Sequence, residues 1–374
     1  MTEAEVRAAA WLRAWDTQGI HRTGTDGDEA GAAWLETAAA ALGAVVMTET
    51  FSLERVDPSE AFVALGDTRI PGVPVFDAPP TDLVGISGTL GPAGGDAEIG
   101  VVELSPHAVY SGAYRTLRRA SQHRALLIVC HGKRPGLGLL NAEQFRAPYG
   151  VPALHVPSET AGAAHVAGWA RLVAAYRRMA ATARNVIVTI PGRNRALPPV
   201  VVMTPRSSWW QSTAERGGGL VCWLEALRAL LAAPPAMDVV LTANSGHELG
   251  HLGLDDFLAR RNGWKRRALW VHFGANLGAA GGRLTVMSAQ DRLRAMAAGS
   301  LAAEGQAPDA LAPPTQVPSG ETRDIHLAGG RYVTLVGSNP WFHLPQDRWP
   351  GTVDVPTTAR IGAAGARMVV ELTR

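Results

Sequence analysis

The string HELGH, His247 to His251, sets two imidazoles four residues apart around a glutamate. On a helix this pattern presents both rings to one zinc ion while the glutamate activates water. Its surroundings argue against that chemistry here. The string follows directly on the apolar run MDVVLTA and the loop NSG, contains Gly250, and has no evident third ligand. His251 then reads as a helix-face residue near a module boundary. His272, alternating with apolar neighbours in ALWVHF, reads as a hydrogen-bonded core histidine. With only Cys130 and Cys222, far apart in the chain, neither a disulfide framework nor a cysteine zinc cluster is available, so any metal must be held by histidines and carboxylates. The run Gly217–Gly219 lacks the Lys and Ser/Thr of a phosphate loop and suits the close approach of a helix start to a site. Glu225, three residues before Arg228, reads either as a site-side glutamate of its helix or as one half of a helix-surface ion pair.

The elements that would position these groups follow a recognisable order. A helix runs to about Trp15, the polar turn HRTGTDGDE follows, and AGAAWLETAAAALG has apolar residues at helical spacing up to a stop at Gly43. AVVMTETFSLERV alternates as a half-buried strand does. From about Pro58 to Ala183, Gly/Pro-rich turns surround short apolar runs (IGVVEL, ALLIVC, VPALHV), with a helix at about Tyr110–Ser121, which describes a separate β-rich module. NVIVTI, PPVVVM and MDVVLTA are apolar like strands buried on both faces, and they alternate with the helical segments GLVCWLEALRALL and LGLDDFLARRN. A mostly parallel sheet with helices on both sides is the economical arrangement. APDALAPPTQVPSGE reads as a loop or linker.

Composition narrows the function classes. The 374 residues suit about two domains at roughly 150 residues each. With 47% hydrophobic and 18% charged residues, the chain is neither disordered nor a membrane protein. Its 35 basic residues are spread opposite 33 acidic ones, which excludes a nucleic-acid stripe. The start, MTEAEVRAAAWLRAW, carries Glu3, Glu5, Arg7 and Arg13 where a signal peptide would be uninterrupted and apolar. A cytoplasmic location is expected.

The order NVIVTIPG, PPVVVMTPRSSWW, TAERGGGLVCWLEALRALL, MDVVLTANSGHELGHLGL, ALWVHFGANLG and NPWFHLPQD resembles the co-catalytic zinc aminopeptidases of metallopeptidase family 28. Glutamate carboxypeptidase-like proteins and glutaminyl cyclases belong to the same family. HRTGTDGDEAGAAWL resembles its opening helix and turn, and residues 59–183 resemble the protease-associated domain often inserted in it. The resemblance implies an α/β fold, a mostly parallel mixed sheet flanked by helices. Residues 1–58 and 184–374 would form this catalytic-type domain, and the β-rich insert would lie between them.

The family's two zinc ions are held by five side chains, and a Glu is the base. Carried residue by residue, the resemblance puts Pro205 at the first His ligand, with Ser207 for the Asp of that string. Glu215 falls at the bridging Asp, followed by Arg216. His247 falls at the base, Glu248 at a ligand, Ala275 at the next Asp ligand, and His343 at the last His. Both ligands peculiar to one zinc are therefore gone. Glu215, Glu248 and His343 survive in type, an acceptable set for one catalytic zinc with an open position for water. His247 would replace the missing base.

The resemblance thus implies a hydrolase of amide or peptide bonds with at most one zinc. Its partner would be a small-molecule amide or short peptide, and a modified amino acid or a lactam also suits. Arg206 or Arg216 would hold a substrate carboxylate or the developing oxyanion; Trp209 and Trp341, with Trp210 and Phe342, suit an apolar pocket lining and suit core aromatics equally. Neither nucleic acid nor membrane is expected as a partner, and a homo-oligomer is among the expected assemblies. The competing reading is a catalytically inactive binding or partner protein, in which guanidinium groups neutralise Glu215 or Glu248 without metal.

Overall fold

A computed structural model describes all 374 residues. The first helix, Glu3–Asp16, opens with Thr2 and Glu5 satisfying each other's backbone amides in a capping box. The second, Asp26–Ala41, is capped by Thr25 and ends two residues before Gly43, which adopts φ 95°. Thereafter the chain enters a long antiparallel ribbon in which Val46–Leu65 pairs with Trp169–Ile190, from Val46 against Val188 to Ala64 against Arg171.

Four parallel strands make the centre of the sheet. Val239–Asn244 lies beside Val200–Pro205, then Leu269–Phe273, then Arg331–Gly337. Antiparallel strands flank them, the C-terminal half of Trp169–Ile190 on one side and Leu284–Met287 on the other. Successive side chains leave opposite faces of a strand, and burial follows this alternation. Val200, Val202, Val271 and Phe273 join Trp223, Ile361 and Met368 under the helices Gly218–Ala232 and Val355–Leu372. Val201, Met203 and Trp270 join Leu254, Phe257 and Ile325 under the helices Leu252–Ala259 and Thr322–Leu327. The expected α/β architecture, a mostly parallel mixed sheet covered on both faces, is the one observed.

The middle of the chain forms a second group of strands. Ile86–Pro92, Ile99–Leu104, Ala125–Cys130 and Ala153–Val156 pair in parallel around their own apolar cluster. Between the second and third lie a short helical turn, Pro106–Tyr110, and the helix Gly112–Arg119. Ile86–Pro92 also pairs with the N-terminal half of Trp169–Ile190, so one strand serves both strand groups. Residues 58/59 and 183/184 both fall within the ribbon. No helix is long and apolar enough to cross a membrane.

Candidate active site

The four parallel strands end on one side of the sheet, where an open α/β sheet gathers its ligands. The segments leaving these ends, with the turn before helix Gly218–Ala232, bring Glu215, Arg216, His247 and His343 near one another. Between them and the turn Pro106–Tyr110 of the middle segment is a cavity of about 70 Å³. His247, His272, Ala275, Glu321, Phe342 and His343 are among its walls.

Glu215 sits in the wide turn Thr213–Gly217. The amides of Ala214 and Glu215 donate to the two carboxylate oxygens of Asp347, at 2.8 and 2.9 Å. Burial pushes the Asp347 carboxyl up to about 7. Ser212 donates to Glu215 Oε2 at 3.0 Å. Glu215 Oε1 lies 2.7 Å from the Arg216 guanidinium and 3.4 Å from His343 Nε2. Burial pushes the Glu215 carboxyl up, but Arg216 and His343 outweigh it and bring it down to about 2. His343 takes φ 60° and donates from Nδ1 to the Leu139 carbonyl at 2.6 Å, leaving Nε2 buried without a hydrogen-bond partner. The structure therefore brings Glu215, Arg216 and His343 together.

Glu248 is turned elsewhere. Its Oε1 accepts from the Thr23 amide and its Oε2 from the Ser207 hydroxyl, both at 2.7 Å, and burial raises its carboxyl. Thr23 belongs to the N-terminal polar turn, so this carboxylate ties that turn to the strand ends. The expectation of Glu248 as a free metal ligand meets a side chain with both oxygens already engaged. Arg206 is likewise engaged: it donates to Asp28 Oδ1 at 2.7 Å and to the backbone carbonyls of Asp28 and Arg184, fully buried and away from the cavity wall. Trp209 is a core aromatic, donating to Asn141 at 3.1 Å and meeting Phe76 edge-on. Trp341 is half-buried beside Arg134 and lies outside the cavity wall. Phe342 does line the cavity, stacked between His107 and His343. Glu225 pairs with Arg228, as expected, and also with Arg7, each at 2.8 Å, but its carboxylate is buried and not on the helix surface.

His247 donates from Nδ1 to Glu321 Oε1 at 2.5 Å. Burial and the nearby Arg216 bring its ring down to about 4, so the imidazole is neutral at pH 7. His272 Nε2 stands 3.4 Å from Glu321 Oε2, and Thr322 Oγ1 lies 3.5 Å from its Nδ1. His272 is thus a core histidine, as its alternation implied, and also part of the cavity wall. His251 departs from expectation. HELGH is a single tight turn, His247–Leu249, followed by Gly250 at φ 78° and His251 at φ 64°. Those two left-handed residues fold the chain back, so the His251 ring faces that of His247 at 5.2 Å, not a helix surface. Glu321, the last residue of the expected linker, was not singled out from sequence. The only local signal was a carboxylate at the foot of the helical segment TRDIHL.

Comparison with known proteins places the fold. No protein-family model matches the sequence, and no curated protein does. Among solved structures, a zinc aminopeptidase from Bacillus subtilis superposes with a TM-score of 0.79 at 17% identity, covering 99% of this chain and 95% of its own. The chain has the zinc-aminopeptidase fold. A peptidase M28 precursor from Shewanella amazonensis gives 0.76 at 14% identity, covering 100% and 95%. A glutaminyl cyclase from Porphyromonas gingivalis gives 0.54 at 12%, covering 98% of each chain. Pro205 and Ala275, which the family resemblance sets at two ligand positions, have no metal-donor side chain; Glu248 is engaged with Thr23 and Ser207, and the Arg216 cation lies against Glu215.

Proposed function

We propose that this chain hydrolyses an amide or peptide bond in a small substrate, with the cavity at the strand ends as the reacting centre and His343 as the proton carrier. The observation behind this reading is the state of the His343 ring. Its Nδ1–H is held by the Leu139 carbonyl, so the neutral form of the ring would carry its lone pair on Nε2, an atom with no hydrogen-bond partner on a residue of the cavity wall. An imidazole so fixed takes a proton from water as it attacks a carbonyl carbon and returns it to the leaving amine. Glu215, kept ionised by Arg216, lies 3.4 Å from Nε2 and stabilises the imidazolium between those events. Arg216 thus acts through Glu215, and Arg206 acts through Asp28 on the N-terminal turn.

The cavity leaves about 70 Å³ open to the centres of water molecules, room for several waters at about 10–15 Å³ each, which suits a small substrate group. The middle segment contributes His107 and Tyr110 to the wall, so it takes part in selecting what enters. Turnover of short peptides and small amides at pH 7 tests the reading. His343→Gln is expected to lower kcat by about 10²–10⁴ with little change in KM. A catalytically inactive binding protein is the second reading, favoured by the Glu215–Arg216 pair and by Pro205 and Ala275. It predicts ligand binding without turnover, equal in wild type and His343→Gln.

A further inference from the structure

We propose that His247, His251 and Glu321 form a site for a single divalent cation of the zinc class, set apart from the Glu215–His343 pair. Their ligand atoms all lie within 4.8 Å of one another. Two imidazoles and a carboxylate suit a borderline ion such as zinc and leave an open fourth position, whereas magnesium and calcium take oxygen ligands.

Unsatisfied atoms point the same way. Glu321 Oε2, His251 Nε2 and His272 Nε2 are all buried without a hydrogen-bond partner. The charges around the cavity are also unevenly matched. Arg216 faces Glu215 at 2.7 Å, while the buried Glu321 carboxylate is bonded only to imidazole. Burying an anion without a counter-cation is costly, and a divalent ion held by neutral imidazoles would supply that cation. His272, 3.4 Å from Glu321 Oε2, would orient the carboxylate, the outer partner a metal ligand commonly has. HELGH thus brings its two histidines together without a helix, through the left-handed pair Gly250 and His251, while the third ligand comes from the end of a loop 70 residues after His251.

This inference names a cation for the same cavity and rests on the hydrolase reading for its role. The test is the zinc content of the full chain, purified after growth with added zinc sulfate, dialysed without chelator and measured by plasma mass spectrometry. About one zinc per chain is expected. It should fall at least tenfold in both Glu321→Gln and His251→Ala, and remain in Glu248→Gln and His343→Gln. Circular dichroism identifies any variant that fails to fold. As a second readout, added zinc should raise the melting temperature of the wild type and leave that of His251→Ala unmoved. A zinc-free wild type would overturn the site, as would zinc kept in His251→Ala or lost only in His343→Gln. A chain that binds zinc as described but cleaves no amide would retain the site and remove the hydrolase reading.

Discussion

Arg216 lies 2.7 Å from Glu215, and neither side chain is accessible to solvent. The guanidinium stands beside the carboxylate that the family resemblance assigns to bridging two zinc ions. A fixed cation there neutralises Glu215 by itself, without a metal ion. Removing one partner of a buried pair leaves an uncompensated charge, so Arg216→Met should destabilise the chain by about 3–5 kcal/mol. The double variant Glu215→Gln/Arg216→Met should recover most of that loss in denaturant unfolding. Equal losses in the single and double variants would mean that the pair carries no such coupling.

Glu248 should behave as a structural carboxylate. Glutamine in its place keeps one acceptor, leaving either the Thr23 amide or the Ser207 hydroxyl unpaired at a cost of about 1–3 kcal/mol. Glu248→Gln is therefore expected to melt earlier than wild type, with its zinc content unchanged. Loss of zinc at unchanged stability would reassign Glu248 to the metal.

The glycines at the start of helix Gly218–Ala232 have a steric role. A Cβ on Gly218 would come within 1.7 Å of the Leu277 carbonyl oxygen, and one on Gly219 within 2.5 Å of Thr204 Oγ1. Gly218→Ala should cost at least about 1–3 kcal/mol, because backbone must move. Gly299, inside helix Asp291–Ala303, has nothing within 4 Å of the added carbon. Gly299→Ala should stabilise by about 0.4–1 kcal/mol. Thermal unfolding of the two variants should therefore shift in opposite directions.

Stability should fall in mild acid through two further histidines. Burial brings both His21 and His155 down to about 3, against about 6.5 in an unfolded chain. Between those values the unfolded state binds more protons, so stability is lost as pH drops from about 6.5 towards 3. Each histidine contributes up to about 1.4 kcal/mol per pH unit in that window. Asp347, raised to about 7, acts with the opposite sign from about 7 down to its ordinary range. His155 Nε2 accepts the Leu140 amide at 3.2 Å, a bond glutamine can replace. Unfolding free energies of wild type and His155→Gln, measured from pH 7 to 4, should show the shallower acid loss in the variant. Parallel curves would place the His155 pKa near its ordinary value.

Much of the fold was legible because its elements bury one face each. The helices Glu3–Asp16 and Asp26–Ala41, the apolar central strands, and the helix between two strands of the middle segment all follow from spacing and turn residues. The ribbon strand Trp169–Ile190 shows where such reading ends. Its Ala- and Arg-rich first half has helix-favouring composition, yet it pairs along its length with Val46–Leu65, and that long-range pairing decides its state. Site residues were legible as positions more than as roles. Glu215 and His343 do meet, and His247 does line the cavity. What sequence could not show was where charges are spent. Glu248 and Arg206 are consumed by Thr23, Ser207 and Asp28, residues distant in the chain. Glu321 lies at the end of a Pro-rich loop without periodicity, and His251 turns inward because two successive residues are left-handed.

Hydrolysis itself is the most direct test of the account. Wild type, His343→Gln and Glu321→Gln would be assayed at pH 7 against aminoacyl anilides, N-acyl amino acids and small lactams, with released amine as the readout. The account predicts turnover of at least one small amide by wild type and a loss of about 10²-fold or more in His343→Gln. Turnover unchanged in that variant, or ligand binding without any turnover in wild type, would contradict it.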